Sequence, residues 1–329
     1  MRRRVLSGMQ ATGRLHLGNW VGALQNWVRL QEQYDCFYFV ADWHALTTAY
    51  QAPGDIPEST RDLLVNFLAS GLDPQRAVIF IQSWVPQHAE LHLALSMLAP
   101  LGWLERVPTY KEKKEELRDK DLGTYGFLGY PVLQSADILL YRAELVPVGQ
   151  DQLPHLELTR ELARRFNYLY GPVLPEPQAL LTEFPKLPGT DGRKMSKSYD
   201  NAIYLSDPPE VLRQKVRTMM TDPARKRRTD PGEPELSPVY QLHKVFSSAQ
   251  ELKELAQGCR AASIGCLDCK EVLIRNMFKA LEPLWQRRRE LLGQPSLLRD
   301  IAAEGARKAS AVAQETLQAV KEAMGLKFS

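Results

Sequence analysis

The sequence predicts an α/β fold in which a parallel sheet with helices on both faces is followed by a smaller region made only of helices. Two observations predict this fold. In the first half, short apolar runs alternate with segments whose apolar residues recur at helical spacing. After about residue 204, long helical patterns separated by polar loops replace this alternation. The chain of 329 residues is long enough for two domains with their own cores, which we expect at 1–204 and 205–329.

Apolar runs that are typical of buried parallel strands occur four times in the first half. They lie at 3–7, 36–41, 77–81 and 144–148. Helical patterns are predicted at 19–33 and 59–70, and a further helix begins near Leu153. Ligands of parallel sheets bind at the carboxyl ends of the strands, where Gly8-Met9-Gln10 and Gly149-Gln150-Asp151 lie.

The second half contains four helical patterns. They cover 212–220, 239–257, 270–290 and 297–324. A polar, proline-rich segment at 221–238 is typical of a loop.

Composition excludes several classes of protein. The net charge of +3 is small, so a nucleic-acid partner needs a local basic patch. No apolar run approaches the roughly 18 residues that a membrane helix needs. The basic start of the chain is followed by Ser7, Gly8 and Gln10, which interrupt any signal-peptide core. We expect a cytoplasmic protein without a membrane partner.

The first signature is the segment Thr12-Gly13-Arg14-Leu15-His16-Leu17-Gly18-Asn19, which follows the first strand. Its glycines allow close approach of a nucleotide, and the helix that follows presents N–H groups to phosphate. His16 is a candidate donor to a phosphate oxygen. A helix start with an incidental histidine is an equally simple interpretation of this segment alone.

The second signature is Lys194-Met195-Ser196-Lys197-Ser198, which follows the turn-forming segment Pro188-Gly189-Thr190-Asp191-Gly192. Ammonium groups on such a loop can neutralise charge that moves to a leaving pyrophosphate. The alternative is a solvated basic loop. Together, the two signatures indicate that ATP activates a carboxylate by reaction at its α-phosphate.

A candidate side-chain pocket is encoded by Tyr130, Gln134 and Asp137. Their spacing places them on one face of a helix, whose first turn suits Pro131. A buried carboxylate there would discriminate strongly for a ring N–H or O–H, and indole and phenol both satisfy it. The alternative is that Asp137 pairs with an arginine such as Arg142.

Two further groups of residues suggest binding sites. Cys259, Cys266 and Cys269 have a spacing that suits thiolate ligation of a metal or an iron–sulfur cluster. A local basic stretch near the polar loop is suited to RNA phosphates, although a solvated helix face is the simpler interpretation. The stretch comprises Arg213, Lys215, Arg217, Arg225, Lys226, Arg227 and Arg228. Lys111, Lys113 and Lys114 form a second cluster, which Glu112, Glu115 and Glu116 can neutralise.

On these residues the chain resembles the class I aminoacyl-tRNA synthetases, most closely the bacterial tryptophanyl type. The resemblance extends over the full length. Beyond the two signatures, three segments carry it, at 39–45, 130–141 and 146–152. It implies a Rossmann-like nucleotide-binding domain, a helical anticodon-binding domain and a homodimer. It also implies ATP, Mg²⁺, L-tryptophan and tRNA(Trp) as substrates and partners.

The resemblance also assigns roles by position. The implied ATP-binding residues are Gln10, Ala11, Thr12, Gly18, Asn19, Gly149, Gln150, Asp151, Lys194, Met195, Ser196, Lys197 and Ser198. The implied tryptophan-binding residues are Asp137, Tyr130, Gln134, His44 and Gln152. His16, Lys194 and Lys197 are the implied catalytic residues. Some members of the family hold an iron–sulfur cluster with four cysteines, and the fourth position falls near Ser237 here.

Two alternatives stay open. Gln134 stands where many members of the family have methionine, and Tyr-x3-Gln-x2-Asp also occurs in the tyrosine-specific sister family. The choice of tryptophan depends on the resemblance, chiefly on the segment 136–141. The second alternative is a tRNA-binding regulatory paralogue, which the complete lysine signature disfavours.

Overall fold

The computed structural model describes residues 2–108, 110, 121–181, 187–223 and 225–326. They form two compact units. The sheet unit comprises Met1–Gly13, Trp27–Glu183 and Gln294–Ser329, and the helical unit comprises Arg14–Asn26 and Phe184–Gly293. These bounds differ from the expected regions 1–204 and 205–329, because the chain joins the helical unit at Arg14 and its last helix belongs to the sheet unit. The assignment of those regions to catalysis and anticodon binding stays a prediction.

A five-stranded parallel sheet forms the centre of the sheet unit, with the strand order β3-β2-β1-β4-β5. The strands are β1 (Arg4–Gln10), β2 (Asp35–Ala41), β3 (Ala77–Ile81), β4 (Leu145–Val148) and β5 (Gln178–Leu181). The four predicted strands are confirmed. The short strand β5 was not predicted, because its half-exposed residues lack the apolar run that marks the others.

Eight α-helices belong mainly to the sheet unit as far as it is described. They are α2 (Gln25–Leu30), α3 (Asp42–Ala49), α4 (Ile56–Ala69), α5 (Gln87–Ser96), α6 (Leu101–Glu105), α7 (Tyr125–Leu140), α8 (Leu153–Tyr170) and α13 (Pro295–Ala323). Short 3₁₀ turns lie at Pro53–Asp55, Gln82–Trp84 and Gln150–Gln152. Helix α13 packs on β3, and its Gly305 meets the backbone of Ile79. None of the described helices has an apolar stretch long enough to cross a bilayer.

Helix α7 begins earlier than expected. The Thr124 side chain accepts a hydrogen bond from Phe127 N, so the helix starts at Tyr125. Pro131 therefore lies inside the helix, whereas the sequence predicted it in the first turn. Tyr130, Gln134 and Asp137 still share one face, because the helix continues through the proline.

The helical unit contains α1 (Leu17–Asn19), a π-helical segment (Trp20–Leu24), α9 (Pro209–Thr218), α10 (Pro238–Phe246), α11 (Ala249–Arg260) and α12 (Cys266–Leu292). The predicted single helix at 239–257 is wrong, since it divides into α10 and α11. The break occurs at Ser247 and Ser248, because Ser248 and Glu251 form a capping box that starts a new helix.

Candidate active site

A cavity of about 380 Å³ opens at the carboxyl ends of β1 and β4, which are neighbouring strands of the sheet unit. All five residues predicted to bind tryptophan line it: His44 from α3, Tyr130, Gln134 and Asp137 from α7, and Gln152 from the turn before α8. Gln10, at the end of β1, also lines the cavity. Because parallel strands end at the same edge, the topology brings these distant segments together.

The carboxylate of Asp137 is the most buried polar group of the cavity, with an exposed fraction of 2%. His44 Nε2 lies 2.8 Å from Oδ2, and His88 Nδ1 and Gln82 Nε2 each lie 2.7 Å from Oδ1. Burial opposes ionisation, but the hydrogen bonds from His44 and His88 prevail and lower the pKa of Asp137 to about 2. Asp137 is therefore ionised, and the alternative pairing with Arg142 is wrong.

Three residues of this site were not predicted. Gln82 and His88 follow the carboxyl end of β3, so the strand-end rule that selected Gln10 would have found them. His155 lines the cavity, and its Nε2 lies 3.4 Å from the Tyr130 hydroxyl. It follows Gln152 by three residues on the same helical face, which was a usable signal.

The segments predicted to hold the nucleoside lie at two strand ends of the sheet unit. Ala11 and Thr12 follow β1 directly, and the Ala11 N–H donates to the carbonyl of Ala41 at 3.5 Å. Gly149 follows β4, and Gln150 and Asp151 lie in a single 3₁₀ turn before α8. These positions suit a nucleoside, as expected for the carboxyl edge of a parallel sheet.

His16 belongs to the helical unit, where the first signature pairs with the chain that follows the lysine signature. Leu17 N donates to Ile203 O at 2.9 Å, and Leu205 N donates to Leu15 O at 2.8 Å. Gly18 leaves room for the His16 ring, since an added Cβ would lie 3.0 Å from it. The part of the first signature from Arg14 onward therefore neighbours the chain that follows the lysine signature within the helical unit.

The electrostatics of His16 reflect this proximity. Burial lowers the pKa of His16 to about 4, and the positive charges of Lys197 and Lys194 lower it further. The imidazole is therefore neutral at pH 7. The neutral ring can donate one hydrogen bond to an anionic oxygen. Lys194 and Lys197 supply the positive charge near the ring.

The lysine signature forms a loop that is anchored by a buried methionine. Met195 is buried, and its N–H donates to Leu187 O at 2.9 Å. The Ser196 side chain accepts from Ser198 N and begins the single 3₁₀ turn Lys197–Tyr199. Lys194 is exposed and Lys197 is half-buried. The buried side chain of Met195 therefore anchors the loop, while Lys194 lies at the surface.

Asn201 organises this loop and was not predicted. It is buried, with an exposed fraction of 2%. Its Oδ1 accepts from Ser196 N at 2.8 Å, and its Nδ2 donates to Lys194 O at 3.1 Å and to Asp191 Oδ1 at 2.7 Å. The hydrogen bond from Asn201 is the main reason that the pKa of Asp191 is lowered. One side chain thus holds both ends of the segment that carries Lys194.

The predicted thiolate site is assembled only in part. Cys259, Cys266, Cys269 and Ser237 line one small cavity of about 30 Å³. Burial raises the pKa of Cys269 to about 12, which favours its thiol form. Among the residues that the structure describes, no three His, Cys, Asp or Glu side chains are arranged to hold one metal ion. The residues present do not fit the ligand set of an iron–sulfur cluster.

The basic stretch is largely paired where it lies on α9. Arg213 and Arg217 both contact Glu271, and Lys215 contacts Asp207 at 2.8 Å. Arg225 donates to the backbone carbonyls of Arg228 and Ile264. Lys226 and Arg227 are exposed in the polar loop. The cluster of Lys111, Lys113 and Lys114 lies outside the described residues.

Comparison with known proteins identifies several relatives. Residues 1–282 match the family described as tRNA synthetases class I (W and Y). A tryptophan–tRNA ligase from Thermotoga maritima is 57% identical over 327 residues, which cover 99% of this chain and 100% of the relative. A tryptophan–tRNA ligase from Ralstonia nicotianae is 49% identical, with 99% of each chain covered.

Solved structures agree with these relatives. The crystal structure of tryptophanyl-tRNA synthetase from Campylobacter jejuni, complexed with ADP and tryptophan, matches with a TM-score of 0.90. It is 35% identical, and the match covers 98% of this chain and 99% of that chain. A tyrosyl-tRNA synthetase from Archaeoglobus fulgidus matches with a TM-score of 0.66 at 24% identity, which shows a shared fold alone.

Proposed function

Because the chain belongs to the class I tRNA synthetases for tryptophan and tyrosine, we infer that it activates L-tryptophan with ATP and transfers it to tRNA(Trp). The tryptophan carboxylate attacks the α-phosphate and forms tryptophanyl-adenylate and pyrophosphate. A terminal hydroxyl of the tRNA then takes the aminoacyl group. Relatives with this activity cover the whole chain at 44–57% identity, and this observation carries the assignment.

We propose that the cavity of the sheet unit binds the amino acid. Asp137 accepts the indole N–H, and Tyr130, Gln134, His44 and Gln152 surround the substrate. The buried, ionised state of Asp137 supports this role, since a substrate without a matching donor would leave the carboxylate unpaired. The relatives are tryptophan–tRNA ligases, which disfavours the tyrosine-specific and regulatory alternatives. Gln134 nevertheless lines the cavity, as the pattern Tyr-x3-Gln-x2-Asp of the tyrosine-specific family requires.

The reacting groups need little proton transfer. A carboxylate is already ionised at pH 7, so positioning and charge neutralisation carry the activation step. We assign Lys194 and Lys197 to the charge that moves to pyrophosphate, and His16 to a hydrogen bond with a phosphate oxygen. Gln10, Ala11, Thr12, Gly18 and Asn19, with residues 149–151 and the rest of the lysine loop, are assigned to ATP, which enters as its Mg²⁺ complex.

ATP–pyrophosphate exchange tests this assignment. Purified protein is incubated with ATP, Mg²⁺ and labelled pyrophosphate, together with tryptophan, tyrosine or no amino acid. We expect label in ATP only with tryptophan. Exchange that is fastest with tyrosine would support the sister specificity, and exchange with neither amino acid would contradict the proposed function.

A second copy of the chain is the partner that we propose for an exposed apolar surface of the sheet unit. A groove of about 420 Å³ is lined by Trp43, Leu46 and Tyr50 of α3 and its end, and by Gly129 and Leu133 of α7. Nearby elements expose further apolar side chains, since Leu93 of α5 and Met97, which directly follows this helix, are 56% and 70% exposed. Monomeric proteins rarely expose such surfaces. Light scattering of the purified protein tests for a dimer, which Met97→Asp should dissociate.

Three further expectations stay predictions. tRNA contact is proposed for the exposed Lys226 and Arg227, whose replacement by alanine should weaken tRNA binding more at low salt than at high salt. A cytoplasmic location follows from the tRNA substrate.

For the thiolate site formed by Cys259, Cys266 and Cys269, iron and sulfide analysis of anaerobically purified protein should find neither element, because the ligand set is incomplete. Four atoms of each per chain would contradict this expectation.

A further inference from the structure

A chain of buried polar side chains reaches Asp137 without lining the cavity. The Tyr141 hydroxyl lies 2.7 Å from His88 Nε2, and His88 Nδ1 lies 2.7 Å from Asp137 Oδ1. Gln82 donates to the same oxygen from Nε2 at 2.7 Å. Gln82 and Tyr141 are 0% exposed and His88 is 2% exposed. Side chains from the ends of β3 and α7 and from α5 therefore determine where the carboxylate lies.

The partners of His88 determine which nitrogen carries its hydrogen. An ionised carboxylate can only accept, so His88 Nδ1 must donate to Asp137. The Tyr141 hydroxyl has no second partner among the described residues, and it satisfies its hydrogen only by donating to an unprotonated Nε2. A cationic His88 would leave that hydrogen without an acceptor. Tyr141 thus selects the neutral tautomer that donates to Asp137.

The number of hydrogen bonds that the Asp137 carboxylate can still accept follows from its partners. A carboxylate accepts about four hydrogen bonds. Gln82 and His88 occupy Oδ1, and His44 occupies one position of Oδ2. One acceptor position remains, on the oxygen beside the cavity-lining His44. An indole N–H needs one acceptor and nothing more. A phenol also brings oxygen lone pairs, and the N–H of His44 beside them is already donated to the carboxylate.

The titratable groups that act on this carboxylate are few among the described residues. His44 from α3 and His88 from α5 contact it directly, and His92 from α5 interacts with it through space. Burial lowers the pKa of His92, so this ring is neutral near pH 7 and adds no competing charge. The Tyr141 hydroxyl stays protonated, because its burial and the charge of Asp137 raise its pKa.

We propose that Gln82, His88 and Tyr141 are positioning residues that lock Asp137 as an acceptor with one open position, and that this lock sets the preference for an indole N–H over a phenol O–H. The proposal rests on the proposed function, because it concerns how that same site selects its substrate. If the lock is loosened, the carboxylate can rotate, and its open position no longer points in one fixed direction. An indole N–H has only that position to bond, so it loses more than a phenol, whose oxygen can also accept a hydrogen bond.

Tyr141→Phe tests the lock by removing one hydroxyl. ATP–pyrophosphate exchange is measured with tryptophan and with tyrosine at pH 7. We expect the ratio of kcat/KM for tryptophan over tyrosine to fall about three- to ten-fold, mainly through a higher KM for tryptophan and with little change in kcat. Tyr38→Phe is the matched control, since its buried hydroxyl donates to the Trp27 carbonyl at 3.2 Å and interacts with Cys36, neither of which lines the cavity.

A pair of variants at His88 keeps the test independent of folding. His88→Asn retains a side-chain N–H near the position of Nδ1, and His88→Leu removes it. We expect the tryptophan preference to fall about ten-fold or more in the leucine variant and to be largely retained in the asparagine variant. Equal losses of kcat/KM with both amino acids, or a loss that lies in kcat with an unchanged KM for tryptophan, would overturn the proposal. Failure of the wild type to use tryptophan would instead overturn the proposed function.

Discussion

Replacement of Asn201 by alanine tests whether the order of the lysine loop limits the chemical step. The change leaves Ser196 N–H and Lys194 C=O without the partners that they have at 2.8 and 3.1 Å. Each lost hydrogen bond is worth about 1 kcal/mol, and up to about 3 kcal/mol when the remaining group is poorly hydrated. A loop weakened by about 2–3 kcal/mol would hold Lys194 in place for only a small part of the time.

The expected result is a fall in kcat of about 10- to 100-fold, because about 1.4 kcal/mol corresponds to a factor of ten. Tryptophan affinity should not change, since the described residues that line the amino-acid cavity all belong to the sheet unit. The assay combines pyrophosphate exchange for kcat with fluorescence titration for tryptophan binding.

Asn167→Ala is the matched control for this change. Asn167 also makes three side-chain hydrogen bonds to backbone, with Val173 and Leu174, but it lies at the end of α8 in the sheet unit. It should lower the melting temperature without a comparable fall in kcat. A normal kcat in Asn201→Ala, or a loss of tryptophan affinity without a loss of kcat, would refute the reasoning.

Three further predictions address the site and the fold. Lys194→Ala should lose far more kcat than tryptophan affinity, and a weaker affinity with unchanged turnover would contradict our assignment of the loop. Gly305→Ala should destabilise the protein by about 1–3 kcal/mol, because the added Cβ overlaps the carbonyl of Ile79; urea denaturation beside Gly102→Ala, whose Cβ meets nothing, checks this. Stability should fall from pH 6.5 to 4, because buried His16 and His243 have pKa values of about 4 in the folded chain and titrate near 6.5 when unfolded. A urea midpoint that is equal at pH 7 and 5 would contradict this.

The parallel sheet could be predicted because its central strands are buried on both faces. Continuous apolar runs such as 36–41 and 77–81 are typical of such strands and are too short for buried helices. The short strand β5 lacks such a run. The division of 239–257 depended on a capping box that the apolar periodicity conceals, since both helices place apolar residues on one side. The hydrogen bonds of the Ser248–Glu251 capping box therefore determined the helix boundary, although the apolar periodicity continues across it.

The cavity could also be predicted in part, and the limit has a physical cause. Helical spacing is enough to place Tyr130, Gln134 and Asp137 on one face. The partners of Asp137 come from α3, from the turn after β3 and from α5, and no spacing rule relates residues that only the tertiary fold brings together. The role of Asn201 in the lysine loop was not predicted, because hydrogen bonds from a side chain to a loop backbone leave no pattern in the sequence.

The contact between Gly305 and Ile79 has a consequence for the order in which the protein is made. β3 lies at one edge of the sheet, and the helix that covers it is translated more than two hundred residues later. Until the ribosome has released α13, the growing polypeptide displays an uncovered apolar edge, which is a template for pairing with other chains. Nascent molecules are therefore open to such pairing from the time β3 emerges until α13 has packed on it.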